Sequence, residues 1–286
     1  MAIAAGVKPA LGPLQRTFQL HRGIGPWRER DLWARGIDHW GEFLRQAQQG
    51  TVTSAKLDLA LAEAIAWAQK ALAEGNLEAL AALLPAREQW RLYPHFPESA
   101  AFIDIEADGE QQITVIGVFD AQGPATFIRG RNLAEAVPRL QNSALWVTFN
   151  GAVFDVPVLK RHFPHLRVAP AHVDLRFLCR KLKLKGGLKT LEKQLGLTRP
   201  GHLEGINGFE AIRLWREFTF NKRLDALRVL VEYNLYDCIN LRTLLEHSMV
   251  RLSEQLVWED PGQHQPIFER GEVLYDVSRL LLSLDG

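Results

Sequence analysis

Ala101-Phe102-Ile103-Asp104-Ile105-Glu106 reads as a buried strand that carries two carboxylates. Side chains two residues apart on a strand point to the same face, so Asp104 and Glu106 project together while Ile103 and Ile105 face the other way. Two carboxylates on one face of an apolar strand repel each other, and loss of water raises the cost for both. A solvated strand edge relieves that cost, and so does a shared hard cation such as Mg²⁺ or Mn²⁺, which prefers oxygen ligands. The pair alone leaves both readings open.

Around this stretch the chain changes character. Upstream, apolar residues recur at helical spacing: Leu57, Leu61, Ile65, Ala68 and Leu72 predict a helix over residues 54–73, and Leu77 to Leu84 a further one. Pro26 fits a first helical turn, with Leu32 and Trp33 as its apolar stripe and Gly36 as its stop, before a second helix around Trp40, Phe43 and Leu44. Pro85, Pro94 and Pro97 punctuate a linker into the strand. Downstream, residues 112–119 and 125–128 read as second and third strands with short connections, an antiparallel meander. A helix over residues 133–140 and a strand from Leu145 to Phe149 follow. The chain then turns helical, at 188–195, 209–218 and 224–256. The expected fold class is α/β, a mixed sheet flanked by helices behind an all-helical N-terminal region. The expected divisions are residues 1–98, 99–256 and a C-terminal tail, 257–286.

Composition narrows the class. The 286 residues are 47% hydrophobic and 23% charged, ordinary for a globular protein. Two cysteines, Cys179 and Cys238, cannot build a disulfide framework or a four-cysteine zinc site. No run of eighteen apolar residues and no signal-peptide pattern are visible, so the expected location is cytoplasmic. The nine histidines show no i,i+4 pair, which argues against zinc. The net charge of +1 hides an uneven distribution. Residues 156–200 hold eleven lysines and arginines, among them Lys181, Lys183, Lys185 and Lys189, against Asp174 and Glu192. Such a run is either a solvated face or a surface for a phosphate backbone. Its position directly after Asp155 favours the second. Asp174 reads equally as a helix cap or as an acid behind a site. The segment after residue 254 is acidic and carries no motif.

Two further motifs follow the opening strand. Asn150-Gly-Ala-Val-Phe154-Asp155 lies just past the fourth strand, where ligands gather in α/β sheets. On the last long helix Tyr233 and Asp237 stand at i and i+4 and share a face. Tyr236 sits about 100° round the helix from Asp237 and is assigned to packing.

Asp-x-Glu, Asn-x-x-x-Phe-Asp and Tyr-x-x-x-Asp, in that order, resemble the DEDDy branch of the DnaQ-like 3′–5′ exonucleases. The segment Gly187-Leu-Lys-Thr-Leu-Glu-Lys-Gln-Leu-Gly196 resembles the YprB-like bacterial members. The hairpin Gly23-Ile24-Gly25, which resembles a helix-hairpin-helix element, matches them as well. Its backbone amides at a helix N-terminus suit a phosphate, although a compact turn between packed helices explains it equally. Glu29 departs from the small residue usual there. The resemblance implies an RNase H-like fold and two ions, Mg²⁺ or Mn²⁺, held by Asp104, Glu106, Asp155 and Asp237. It also implies Tyr233 as the phenol that orients the attacking water, and Glu232 disfavours the sister branch, which carries histidine near that place. The expected substrate is a single-stranded DNA or RNA end, contacted by Asn150, Phe154, the lysines and the Gly23/Gly25 hairpin. A non-catalytic nucleic-acid-binding or adaptor module, or endonucleolytic cleavage, would use the same fold.

Overall fold

The computed structural model describes residues 11–197, 199–255, 281 and 283–285. The chain divides into two compact units. The expected tail 257–286 falls, apart from four positions, outside the described residues.

The first unit, described over residues 11–96, is helical: α1 (Pro26–Ala34), α2 (Trp40–Gln49), α3 (Ala55–Ala73) and α4 (Leu77–Leu83), with 3-10 turns at Pro13–Arg16 and Ala86–Leu92. Three of these four helix starts are capped by side chains. His39, Ser54 and Asn76 each accept from an amide of the first turn of α2, α3 and α4. Phe18, Leu32, Trp40, Phe43, Leu61, Ile65 and Trp90 form its core. Glu29 turns inward and accepts from Thr17 Oγ1, Phe18 N and Gln19 Nε2. That is why a carboxylate is tolerated beside the hairpin. In the hairpin the Gly23 amide donates to His21 Nδ1 and the Ile24 amide to the His21 carbonyl. Those two amides are engaged within the turn, which narrows the expected phosphate-binding edge to Gly25 and the first turn of α1.

The second unit contains β1 (Ala100–Ala107), β2 (Ile113–Asp120), β3 (Gly123–Ile128), α5 (Ala136–Gln141), β4 (Leu145–Thr148), α6 (Asp155–His162) and β5 (Ala171–Asp174). Then come α7 (Leu175–Lys181), α8 (Leu188–Leu195), α9 (Gly208–Asn221) and α10 (Leu224–Gln255). The sheet order is β3-β2-β1-β4-β5, with β1, β2 and β3 antiparallel and β1, β4 and β5 parallel. This is an RNase H-like mixed sheet flanked by helices. The opening strand, β1, sits at its centre, where the meander meets the parallel half. One face buries Ile103, Ile105, Ile116 and Val118 against Leu140, Val158 and Leu159 of α5 and α6. The other face, with Asp104 and Glu106, is covered by α10, which packs across β1, β2, β3 and β4. The fifth strand was not expected. Four residues, Ala-His-Val-Asp, are too short to show an alternation, and only the parallel pairing with β4 reveals it.

Candidate metal centre and cleft

Three chain segments deliver the acids. Asp104 and Glu106 leave the same face of β1, as strand geometry requires. Asp155 opens α6, just past β4. Asp237 comes from the middle of α10. Each of Asp104, Glu106 and Asp237 offers a carboxylate oxygen within 4.8 Å of the others. Asp155 is buried beside them and accepts from the Ile105 amide at 3.2 Å, between the two acids of β1. The structure thus brings all four expected acids to one cleft, three of them at ligand spacing.

The carboxylates are held by fixed donors. Asn234 Nδ2 donates to the Asp104 carbonyl at 3.1 Å and to Asp104 Oδ2 at 2.8 Å. The Ile105 amide holds Asp155 Oδ1, and Arg199 Nη2 holds Asp237 Oδ1. In each case a fixed donor engages a carboxylate oxygen. This all-oxygen donor set, oriented by second-layer hydrogen bonds, fits a hard divalent cation.

Concentrating these acids has an electrostatic cost. Burial, then the charges of Asp237, Glu106 and Asp155, raises the Asp104 carboxyl well above its ordinary range. Burial, followed by Asp237, pushes Glu106 up to about 8. Burial raises Asp155 to about 7, against the lowering effect of its backbone hydrogen bonds. Asp237 is raised by burial, offset in part by Arg199 and Lys189.

Tyr233 is one turn of α10 before Asp237 and is buried. Lys189 Nζ lies 4.1 Å from its ring centroid and donates to its hydroxyl oxygen. Burial first, then Asp237, Glu106 and Asp104, moves the phenol further above its usual range, so it keeps its proton.

The acids and Tyr233 line a cavity of about 1030 Å³ whose remaining walls include Asn150, Phe154, Arg176, Arg180, Lys183, Lys185 and the Gly186–Gly187 pair. Lys181 is exposed at the end of α7 and is not among the lining residues. Lys189 stands behind Tyr233, with its ammonium on that phenol and on the Ile206 carbonyl. Asn150 adopts a positive φ of 66°, which asparagine tolerates, and its Oδ1 accepts from Arg176. Asp174 resolves as a structural acid. It caps α7 through the Arg176 amide and ties down the β4–α6 turn through the amides of Asn150 and Ala152.

Sequence reasoning did not single out Asn234, Glu192, Asn240 or the buried role of Arg199. A usable signal existed for the asparagines. Both lie among the apolar residues Leu230, Val231, Leu235, Ile239, Leu241 and Leu244, and a buried side-chain amide needs a partner.

No curated protein matches the chain. The family B DNA polymerase from the hyperthermophilic archaeon Pyrobaculum calidifontis is similar in structure at a TM-score of 0.39 and 18% sequence identity, covering 55% of this chain and 24% of the polymerase. The chain therefore spans about a quarter of that polymerase's length. The family model RNase_H_2, described as RNase_H superfamily, matches residues 101–249, just over half of the chain and a stretch that contains all four acids. With this match and the mixed sheet that carries the acids, the chain belongs to the RNase_H superfamily.

Proposed function

We propose that the protein is a metal-dependent 3′–5′ exonuclease that hydrolyses phosphodiester bonds at single-stranded DNA or RNA ends. The observation that carries this reading is the convergence of Asp104, Glu106 and Asp237 oxygens within 4.8 Å in a cleft that Arg176, Arg180, Lys183 and Lys185 also line. Asp104, Glu106, Asp155 and Asp237 would hold two Mg²⁺ or Mn²⁺ ions. When bound, such ions supply Lewis-acid activation to an in-line phosphoryl displacement.

The protein's own groups do the rest. Lys189 donates to the Tyr233 oxygen, so the phenol's own O–H is directed elsewhere and can orient a water. A phenol held protonated orients that water rather than taking its proton. Arg176, Arg180, Lys183 and Lys185, which line the same cleft, meet the phosphate backbone. Phe154, 37% exposed at the cleft, offers a face on which a terminal base can stack. Asn150, held by Arg176, shapes the same edge and Lys181 extends the basic face. In the first unit, Gly25 at the start of α1, beside Gly23, offers a phosphate contact of its own.

The test is degradation of an end-labelled oligonucleotide with Mg²⁺ or Mn²⁺. The wild-type chain releases mononucleotides from the 3′ end and leaves circular or end-blocked strands intact, and Asp104→Ala abolishes this. Undiminished activity in Asp104→Ala, or binding without turnover by the wild type in either metal, sinks the reading.

A further inference from the structure

Arg199 enters the sequence as one member of a basic run, yet it is not a surface charge. Its side chain is 7% exposed. Nε donates to Glu192 Oε2 at 2.8 Å, while Nη2 reaches both Glu192 Oε1 and Asp237 Oδ1. Glu192 is buried in turn and accepts from Asn240 Nδ2 of α10 at 2.9 Å, so a further residue fixes its position. Contact through two guanidinium nitrogens sets the plane of the arginine as well as its distance. Nη1 is buried without a hydrogen-bond partner among the described residues, a costly placement that packing alone does not require. The Arg199 guanidinium lies 5.6 Å from the Tyr233 ring centroid, and Lys189 Nζ lies 4.1 Å from the same centroid. A chain of Asn240, Glu192, Arg199 and Asp237 therefore runs from the packed interior to the acid cluster.

We propose that Arg199 is a positioning residue of this centre: locked by Glu192, it orients Asp237 and supplies the positive charge that holds that carboxylate among its neighbours until a divalent cation arrives. The inference rests on reading the acid cluster as a metal site. It gives the Leu188–Leu195 helix a role, because one face of α8 supplies both Lys189, which sets Tyr233, and Glu192, which sets Arg199. It also makes Arg199 an electrostatic competitor of the cation. The site is prearranged at the expense of some metal affinity, since a fixed positive charge beside a ligand opposes a second one.

Two measurements on the full chain test this: thermal unfolding with EDTA or with Mn²⁺, and calorimetric titration of Mn²⁺. In EDTA, Arg199→Gln is expected to melt roughly 5–10 °C below wild type, because one partner of a buried pair has been removed. It should then gain more from Mn²⁺ than wild type does and bind the ion roughly threefold to tenfold more tightly. Arg199→Lys keeps the charge without the fork. It should bind Mn²⁺ with wild-type affinity and turn over about tenfold more slowly, the cost usual for a misoriented metal ligand. Arg199→Gln with wild-type Mn²⁺ affinity and a wild-type Mn²⁺-induced rise in melting temperature overturns the inference. Should Arg199→Gln not fold, Arg199→Lys with wild-type turnover overturns it. A wild-type chain that takes up no Mn²⁺ overturns the underlying reading of the cluster, an outcome distinct from the other two.

Discussion

A β-carbon on Gly117 would stand 2.2 Å from Asn234 Oδ1 and 2.7 Å from Cys238 Sγ. Gly117 is the register partner of Asp104 on the neighbouring strand. The missing side chain on β2 is what lets α10 settle close enough for Asn234 to reach Asp104. Gly117→Ala is therefore expected to lower stability by about 3 kcal/mol, the upper end of what overpacking costs. Chemical denaturation measures it, and a wild-type midpoint would show that α10 does not depend on this close approach.

The buried acids set the pH dependence of the protein without divalent ions. Glu106 is pushed up to about 8 and Asp155 to about 7, and Asp104 and Asp237 move the same way. A carboxyl raised in the folded state binds its proton more tightly there than in the unfolded chain, so folding is favoured while the group is protonated. Stability is then highest below the ordinary carboxylate range of about 4 and declines as pH rises toward about 7 to 8. In EDTA the melting temperature at pH 5 should exceed that at pH 8. Saturating Mg²⁺ should remove or reverse the decline, because the ion needs the ionised oxygens. A flat profile in EDTA would contradict the coupling between these acids.

Tyr233→Phe removes the hydroxyl but keeps the ring that packs against Lys189. Single-turnover hydrolysis is expected to slow by about 100-fold, the order of loss when a reactant is mispositioned. Mn²⁺ affinity by calorimetry should stay unchanged. A full rate would remove the phenol from the mechanism.

The basic wall is tested by salt. Lys183→Ala/Lys185→Ala removes two charges that line the cleft. Binding of a fluorescent single strand should weaken uniformly across sequences, and its log–log dependence on salt should become shallower by about 1.4. An unaltered slope would mean that these lysines do not neutralise phosphates.

Much of this architecture was legible in the residues. The central strand declared itself through apolar positions alternating with Asp104 and Glu106, the meander through short turns, and the helices through spacing and caps. Asp155 and Asp237 were readable from their motifs because a strand end and an i,i+4 helix face constrain where side chains point. What was hidden depends on long-range partners. The strand Ala171–Asp174 exists through its pairing with Leu145–Thr148. Arg199 looked like any other cation until Glu192 and Asn240 gave it a buried seat. Asp174 could not be assigned before the amides of Asn150 and Ala152 were seen to converge on it.

The bond between Asp104 and Asn234 joins residues 130 positions apart in the chain. Closing so long a loop is slow compared with forming the local β1–β2–β3 meander, since its entropy must be met before any distant contact rewards it. The two acids of β1 can therefore be in place, on a paired strand, well before α10 arrives with Asp237. A chain that has built the meander but not yet docked α10 lacks Asp237, and with it the third member of the acid cluster.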